Sequence, residues 1–199
     1  RVVNEEFQDG EVDKRYLALV RGIPPASGVI DSPVPRTEGG ERVPAQTEYR
    51  RLGSFERYAL VEARPRTGRL HQIRRHLKHL GHPLIGDVNY GKGEHNRLFR
   101  ERFGLHRLAL HAAELTLLHP STGAPLRIEA PLPEDLRGPF TQMGLPLALP
   151  AGGPWSAAVV DDEVRHGDAV DLALAQVGHP LVVVGVVGDV AGDVGLLDA

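Results

Sequence analysis

Residues 66–91 read RTGRLHQIRRHLKHLGHPLIGDVNYG, and this stretch decides how the rest of the chain is interpreted. An α-helix turns about 100° per residue, so one apolar stripe is formed by Leu70, Ile73, Leu77 and Leu80. The stripe predicts an amphipathic helix from Leu70 to Leu80. Thr67 and Gly68 lie where a cap and a leading turn are expected, and Gly81 with Pro83 should end the helix.

The segment Lys14–Gly22 has the alternation of a strand. Tyr16 and Val20 fall on one face together with Ala18, and Leu17 falls on the other face with Leu19. Apolar residues on both faces predict a central strand of a sheet. Further along the chain, Ala45–Leu52 and Arg57–Ala63 predict a hairpin that turns at Gly53-Ser54.

The remaining elements are short. Pro24–Glu41 is rich in proline, glycine and charge and predicts a loop with a short strand at Val29–Asp31. Asn96–Phe103 predicts a short helix, and Leu108–His119 and Leu126–Ala130 predict two strands joined by a turn at residues 120–123. Strands that follow one another directly, with few helices, predict the α+β class: a mixed, mostly antiparallel sheet with flanking helices.

Composition divides the 199 residues into two parts. Residues 1–150 carry a net charge of +4, whereas residues 151–199 are rich in valine, glycine and aspartate and carry −7. We therefore expect one domain in 1–150 and an acidic extension of unknown role in 151–199. Its apolar run Leu181–Val187 is too short to span a bilayer, so no membrane association is expected.

Cysteine is absent, which excludes disulfides and thiolate metal sites and fits a reducing cytoplasm. The mildly basic domain is compatible with a polyanionic partner. Nothing in the composition indicates an obligatory protein partner.

Arg74 lies at the flank of the apolar stripe rather than on the opposite face of the helix. A guanidinium in that position must reach water or find a carboxylate, because an unpaired buried charge is costly. A stem packed on the core with its head in water is equally consistent with helix geometry alone.

The stretch quoted above resembles the signature "TGR-x-HQ-[IL]-R-x-H … G-x-P-[IL]-x-GD-x-x-YG" of the RluA-type RNA pseudouridine synthases. Residues 14–22 resemble the family's "K-x-Y-x-A-x-V-x-G" segment, and the whole resemblance covers about residues 5–136. Residues 93–112 are most similar to a branch of the family that modifies tRNA, in which "HNR-x-F-R" follows the "GD-x-x-YG" turn.

This resemblance implies cofactor-free isomerisation of a uridine in structured RNA, with tRNA as the expected substrate and rRNA as an alternative. The flipped base would stack on Tyr16, which would also move the C5 proton. Arg74 would pair with a nucleophilic aspartate. In the family that aspartate lies in an upstream "HRLD" box, and His106-Arg107-Leu108 is not that box because alanine follows. We expect the chain to begin after the box and to be inactive alone.

Several side chains are expected to contact RNA. A cationic helix start preceded by Thr67 and Gly68 offers arginines and backbone donors to phosphates. The predicted RNA-binding residues are Arg69, His71, Gln72, Arg75, Arg97 and Arg100. For Arg75 and Lys78 an ordinary solvated helix face is the simpler interpretation, and His71 and Gln72 can equally serve to orient the loop.

Two alternatives remain open at this stage. The chain could be an RNA-binding module without chemistry, which the missing aspartate favours. It could also be a metal-dependent hydrolase that uses His76, His79 and His82, although His82 falls beyond Gly81 and no acidic ligand lies nearby in sequence. We expect no metal site and no cofactor, and we expect Asp87 to cap a turn rather than to act as a nucleophile.

Overall fold

The computed structural model describes residues 12–149, which form an α+β fold. The strands are β1 (Asp13–Arg21), β2 (Ser27–Asp31), β3 (Val34–Pro35), β4 (Arg42–Val43), β5 (Gln46–Phe55), β6 (Tyr58–Pro65), β7 (Leu110–Leu118) and β8 (Pro125–Glu129). The helices are α1 (Gln72–His79), α2 (Gly93–Phe103) and α3 (Glu134–Gln142). The acidic extension and its apolar run lie outside the described residues. None of the helices in 12–149 is long and apolar enough to cross a membrane.

One six-stranded antiparallel sheet forms the centre of the fold, in the order β2-β5-β6-β1-β7-β8. The strand β1 pairs with β6 on one side and with β7 on the other, so the prediction of a central strand is confirmed. The predicted fold class is confirmed as well. A separate two-stranded ribbon of β3 and β4 lies within and just after the segment predicted as loop.

The two faces of the sheet bury different clusters, as the alternation in β1 predicted. Tyr16, Ala18 and Val20 pack with Ile73 and Leu77 of α1, and we call this side the Tyr16 face. On the opposite side, which we call the Leu17 face, Leu17 and Leu19 pack against α2 and α3 through apolar side chains that include Phe99, Phe103, Leu136 and Phe140. The strand β1 therefore fixes the helix α1 on one side and the other two helices on the other.

A buried ion cluster runs across four neighbouring strands, β5, β6, β1 and β7, at one end of the core. The fully buried carboxylate of Glu62 accepts hydrogen bonds from Arg15, Arg50 and Arg64, which lie on β1, β5 and β6. Arg15 also binds Glu114 of β7 at 2.8 Å. Burial alone would raise the pKa of Glu62, but the hydrogen bonds from its arginine partners outweigh burial and lower this pKa.

The predicted position of the β5–β6 turn is wrong. The strands continue past Gly53-Ser54, and the chain reverses at Glu56-Arg57, where Phe55 pairs with Tyr58. A register shift between Arg51 and Gly53 marks a bulge in β5. Gly53 has a packing role instead, because a Cβ there would lie 3.0 Å from Cδ of Pro146.

Other boundaries differ by a few residues, and one helix was not predicted. The helix α1 begins at Gln72 rather than Leu70, because His71 has a left-handed backbone with φ of 54°. The helix α2 begins three residues before the predicted Asn96. The turn between β7 and β8 is confirmed, with Gly123 at a φ of 67°. The helix α3 lies in a segment for which no helix was predicted.

We expect Glu62→Gln to destabilise the protein at pH 7 by roughly 3–5 kcal/mol, because it removes the buried negative charge that Arg15, Arg50 and Arg64 share. Because the folded-state pKa of Glu62 lies below the ordinary glutamate value of 4.5, its contribution to stability is present above pH 4.5 and is lost as the pH falls through the folded pKa. The stability of the variant should therefore depend less on pH as the pH falls below 4.5. Urea unfolding across this range measures both effects.

Glu129→Gln is the matched control, because Glu129 is half-exposed at the outer end of the same cluster. It should shift stability by less than about 1 kcal/mol. If Glu62→Gln matched the wild-type stability and pH dependence, the ion cluster would not hold the sheet together.

Candidate active site

Tyr16 lies in the middle of β1, on the face covered by α1. Its side chain is 2% exposed and belongs to the apolar cluster that includes Ile73 and Leu77. Burial raises the pKa of Tyr16 to about 12, so the phenol is neutral at pH 7. Groups packed against this ring must move if a planar ligand is to stack on it.

Arg74 binds Asp87 through a buried bidentate ion pair. The guanidinium Nε and Nη2 donate to the two carboxylate oxygens of Asp87 at 2.8 Å each. Asp87 is 1% exposed and also accepts from the backbone N–H groups of Asn89 and Tyr90, so the expected cap of this turn is present. Of the two interpretations of Arg74, the structure supports the one in which the guanidinium finds a carboxylate.

The charges of this pair support each other. Burial alone would raise the pKa of Asp87, but the hydrogen bonds from Arg74, Tyr90 and Asn89 and the charge of Arg74 together outweigh burial and lower this pKa. The hydrogen bond to Asp87 likewise raises the pKa of Arg74. Both groups are therefore charged at neutral pH, and together they are neutral.

One edge of the Arg74 guanidinium remains available. Asp87 occupies Nε and Nη2, and no residue within 12–149 accepts a hydrogen bond from Nη1. The Arg74 side chain is 10% exposed. The Nη1 group of Arg74 is therefore held in a fixed orientation on α1, the helix that covers the Tyr16 face, and it can still donate hydrogen bonds.

The turn that carries Asp87 is held by the helix α2. The Asn96 side chain accepts a hydrogen bond from the Gly86 N–H and donates to the Asp87 carbonyl, both at 2.8 Å. Gly86 has a φ of 78°, and a Cβ at this position would lie 1.9 Å from the Arg107 carbonyl oxygen. Glycine is therefore required at position 86 on both counts.

Gln72 organises the loop that leads into α1. Its Oε1 accepts from the Thr67 hydroxyl and the Arg69 N–H, and its Nε2 donates to the Gln46 carbonyl and the Thr47 hydroxyl. The Gln72 side chain is buried and fully engaged, which favours the loop-orienting interpretation over phosphate contact. The backbone N–H groups of Arg69 and Gln72, at the helix start that was expected to offer donors to phosphates, bind Gln72 Oε1 and the Arg69 carbonyl.

Tyr90 gathers the cationic side chains of α1 around one aromatic ring. The guanidinium carbon atoms of Arg74 and Arg75 lie 4.8 and 5.6 Å from the ring centroid, and Lys78 Nζ lies 5.6 Å from it. The Tyr90 hydroxyl accepts from Arg75 Nε at 2.9 Å and lies 3.2 Å from His71 Nδ1. Burial, followed by the charges of Arg74 and Arg75, lowers the pKa of His71.

The predicted RNA-binding residues do not form one group. Arg69, His71 and Arg75 lie at or near the start of α1, the helix that packs on the Tyr16 face. Arg97 and Arg100 are exposed on α2, whose Phe99 packs on the Leu17 face. The two sets therefore lie on different helices, and a common RNA ligand would have to contact both α1 and α2.

The histidines of α1 do not form a cluster. His76 is 1% exposed, and its two ring nitrogens lie 2.8 Å from the Thr47 hydroxyl and from the Ser32 carbonyl. His79 is exposed at the end of the helix. Within 12–149 no three histidine or acidic side chains come together as a possible metal site, so the hydrolase alternative gains no support.

Comparisons with known proteins show which family this chain resembles. Residues 1–79 match a family model described as RNA pseudouridylate synthase. A tRNA pseudouridine synthase C from Vibrio cholerae is 41% identical over 159 residues, which cover 69% of this chain and 65% of the relative. The enzyme of the same name from Haemophilus ducreyi is 37% identical over 164 residues, covering 72% of this chain and 68% of the relative. The chain thus spans about two thirds of the length of these relatives.

A solved structure titled human RNA pseudouridylate synthase domain containing 4 has a TM-score of 0.60 and 28% identity to this chain. It covers 74% of this chain, which in turn covers 68% of the human protein. The similarity to a tRNA-modifying branch of the family, inferred from residues 93–112, is confirmed by the names of the relatives.

The burial of Tyr16 leads to a direct spectroscopic prediction. We expect an alkaline absorbance titration to contain a tyrosine that ionises near pH 12, and Tyr16→Phe to remove that component. Because this folded-state pKa lies above the ordinary tyrosine value of 10.0, stability should fall as the pH rises from 10 towards 12, and the variant should lose less stability over this range. Ionisation of Tyr16 near pH 10 would contradict the burial of its ring.

Proposed function

The chain belongs to the RNA pseudouridylate synthase family, and from that premise we propose that it isomerises a uridine to pseudouridine in structured RNA. A tRNA is the expected substrate, because the curated relatives are named tRNA pseudouridine synthase C. A tRNA substrate would be met in the cytoplasm. The contacts to RNA would come from residues 1–150, because the net charge of −7 in 151–199 repels phosphate.

The observation that carries this proposal is the Arg74–Asp87 pair beside the Tyr16 face. A guanidinium that is already charge-compensated on one edge offers its Nη1 edge to a second anion in a fixed direction. The "HRLD" aspartate of the family is the anion that would use this edge. Arg74 would hold that carboxylate ionised and aimed at the target base.

Tyr16 would hold the target base after it leaves the RNA stack. The neutral phenol can pack on a pyrimidine ring and donate a hydrogen bond at the same time. With a pKa of about 12, only about one molecule in 10⁵ carries a phenolate at pH 7. If Tyr16 also removes the C5 proton of the uridine, its hydroxyl must give up its own proton. Either base binding lowers the pKa of Tyr16, or the phenolic proton leaves in the same step in which the C5 proton arrives.

The cationic residues would divide the contacts to phosphates. Arg69 and Arg75 lie nearest to the start of α1 and would bind the backbone beside the flipped nucleotide. Arg97 and Arg100 are exposed on α2 and would contact another part of the same RNA.

The second candidate is an RNA-binding module without chemistry. It is favoured by one observation: the carboxylate that binds Arg74 within 12–149 is Asp87, whose Oδ1 also accepts two backbone hydrogen bonds of its own turn. An assay of tritium release from RNA labelled at C5 of uridine separates the two functions. The assay compares this chain with an extended protein in which the family's "HRLD" segment precedes residue 1.

We expect the extended protein to release tritium from tRNA and this chain alone to bind tRNA without release. In the extended protein, Tyr16→Phe should preserve RNA affinity and lower turnover by about 10²- to 10⁴-fold, because only the hydroxyl is removed. Tyr49→Phe is the matched control, since Tyr49 is a similarly buried tyrosine of the same apolar cluster, on β5. It should preserve turnover.

An equal loss of RNA affinity and turnover in Tyr16→Phe would argue for a purely structural tyrosine. Absence of tritium release from the extended protein with tRNA and rRNA would leave the RNA-binding module as the better account.

A further inference from the structure

The turn at residues 86–91 links the helix α2 to Arg74, and this link has a consequence for the proposed reaction. We propose that Asp87 and Asn96 are positioning residues: Asn96 fixes the turn, Asp87 fixes the Arg74 guanidinium, and together they aim Nη1 at the reacting carboxylate. This proposal rests on the proposed function, since it concerns how accurately Arg74 meets the nucleophile.

Asp87 restrains the guanidinium in its own plane. Two parallel hydrogen bonds of 2.8 Å to Nε and Nη2 define both the distance and the rotation of the Arg74 head group. The ring of Tyr90, 4.8 Å from the guanidinium carbon, supports it from one side. Because Nε, Nη2 and one face are all engaged, the direction of Nη1 follows from the position of the Asp87 carboxylate.

The Asp87 carboxylate is itself fixed by backbone. Oδ1 accepts from the N–H groups of Asn89 at 3.0 Å and Tyr90 at 2.9 Å, so the side chain cannot rotate without losing both. Aspartate suits this position for a second reason. Its charge matches that of Arg74 inside the protein, whereas asparagine would leave a buried guanidinium uncompensated.

Asn96 transfers the position of α2 to this turn. Its amide accepts from the Gly86 N–H and donates to the Asp87 carbonyl, so one side chain holds the backbone on both sides of the Gly86–Asp87 peptide bond. The helix α2 is a rigid support, because its Phe99 is fully buried in the core. Aspartate at position 96 could accept from Gly86 but could not donate to the Asp87 carbonyl.

The test uses the extended protein and measures kcat and KM separately for tritium release from tRNA. We expect Asn96→Ala to lower kcat by about 10- to 100-fold, because a misplacement of about 1 Å in a reacting group costs this much, with KM for tRNA within about twofold of wild type. Asn89→Ala is the matched control on the same turn, since only the backbone of Asn89 contacts Asp87. It should retain wild-type kcat.

A double-mutant cycle distinguishes positioning from a general structural role. If Asn96 acts through Arg74, adding Asn96→Ala to Arg74→Lys should lower kcat by less than about threefold beyond Arg74→Lys alone. Multiplicative losses would overturn the proposal, as would wild-type kcat in Asn96→Ala. If Asn96→Ala unfolds at the assay temperature, Asn96→Asp repeats the same cycle with a near-isosteric side chain.

Different results would refute the proposed function and the positioning role of Asp87 and Asn96. No release by the unmodified extended protein would refute the proposed function together with this role. Release by the unmodified protein with unchanged kcat in the Asn96 variants would refute the positioning role alone.

Discussion

The buried ion pair between Arg74 and Asp87 is the constraint on which the rest of this site depends. A guanidinium brought into the protein beside the apolar stripe of α1 must meet a carboxylate, or the helix could not pack where it does. Asp87 meets that need from a turn that follows the helix by a few residues. Its position in turn requires glycine at 86, backbone donors at Asn89 and Tyr90, and the amide of Asn96. A short run of sequence thereby fixes one functional group from several directions.

The two faces of the sheet carry different groups. The Tyr16 face carries the aromatic ring and the helix with Arg74, which are the groups that the proposed chemistry uses. The Leu17 face carries the larger apolar cluster, and the ion cluster around Glu62 crosses the sheet near it. The helix α2 belongs to both sides, because its aromatic residues pack on the Leu17 face while Asn96 reaches the turn that serves Arg74. The packing of α2 on the Leu17 face therefore helps to fix the turn that positions Arg74 on the other side of the sheet.

Periodicity alone predicted the parts of this fold that depend on which side of an element is apolar. The alternation in β1 predicted a central strand with two buried faces, and the spacing of Ile73 and Leu77 predicted the buried side of α1. Periodicity does not predict contacts between segments that are distant in the sequence. Gly53 looked like a turn residue because nothing in its neighbourhood shows that Pro146 packs against it. The role of Asn96 was also hidden, since its partners at Gly86 and Asp87 are defined only by the tertiary fold. For Arg74, helix geometry left two interpretations open, and only the structure identified Asp87 as its partner.

The most direct measurement of the central claim is a crystal structure of the extended protein bound to a tRNA that carries 5-fluorouridine at the target position. We expect the "HRLD" carboxylate to lie within hydrogen-bonding distance of Arg74 Nη1 while Asp87 keeps both of its bonds to Nε and Nη2, with the fluorinated base against the Tyr16 ring. A nucleophile that displaces Asp87 from the guanidinium, or a base bound on the Leu17 face, would contradict this expectation.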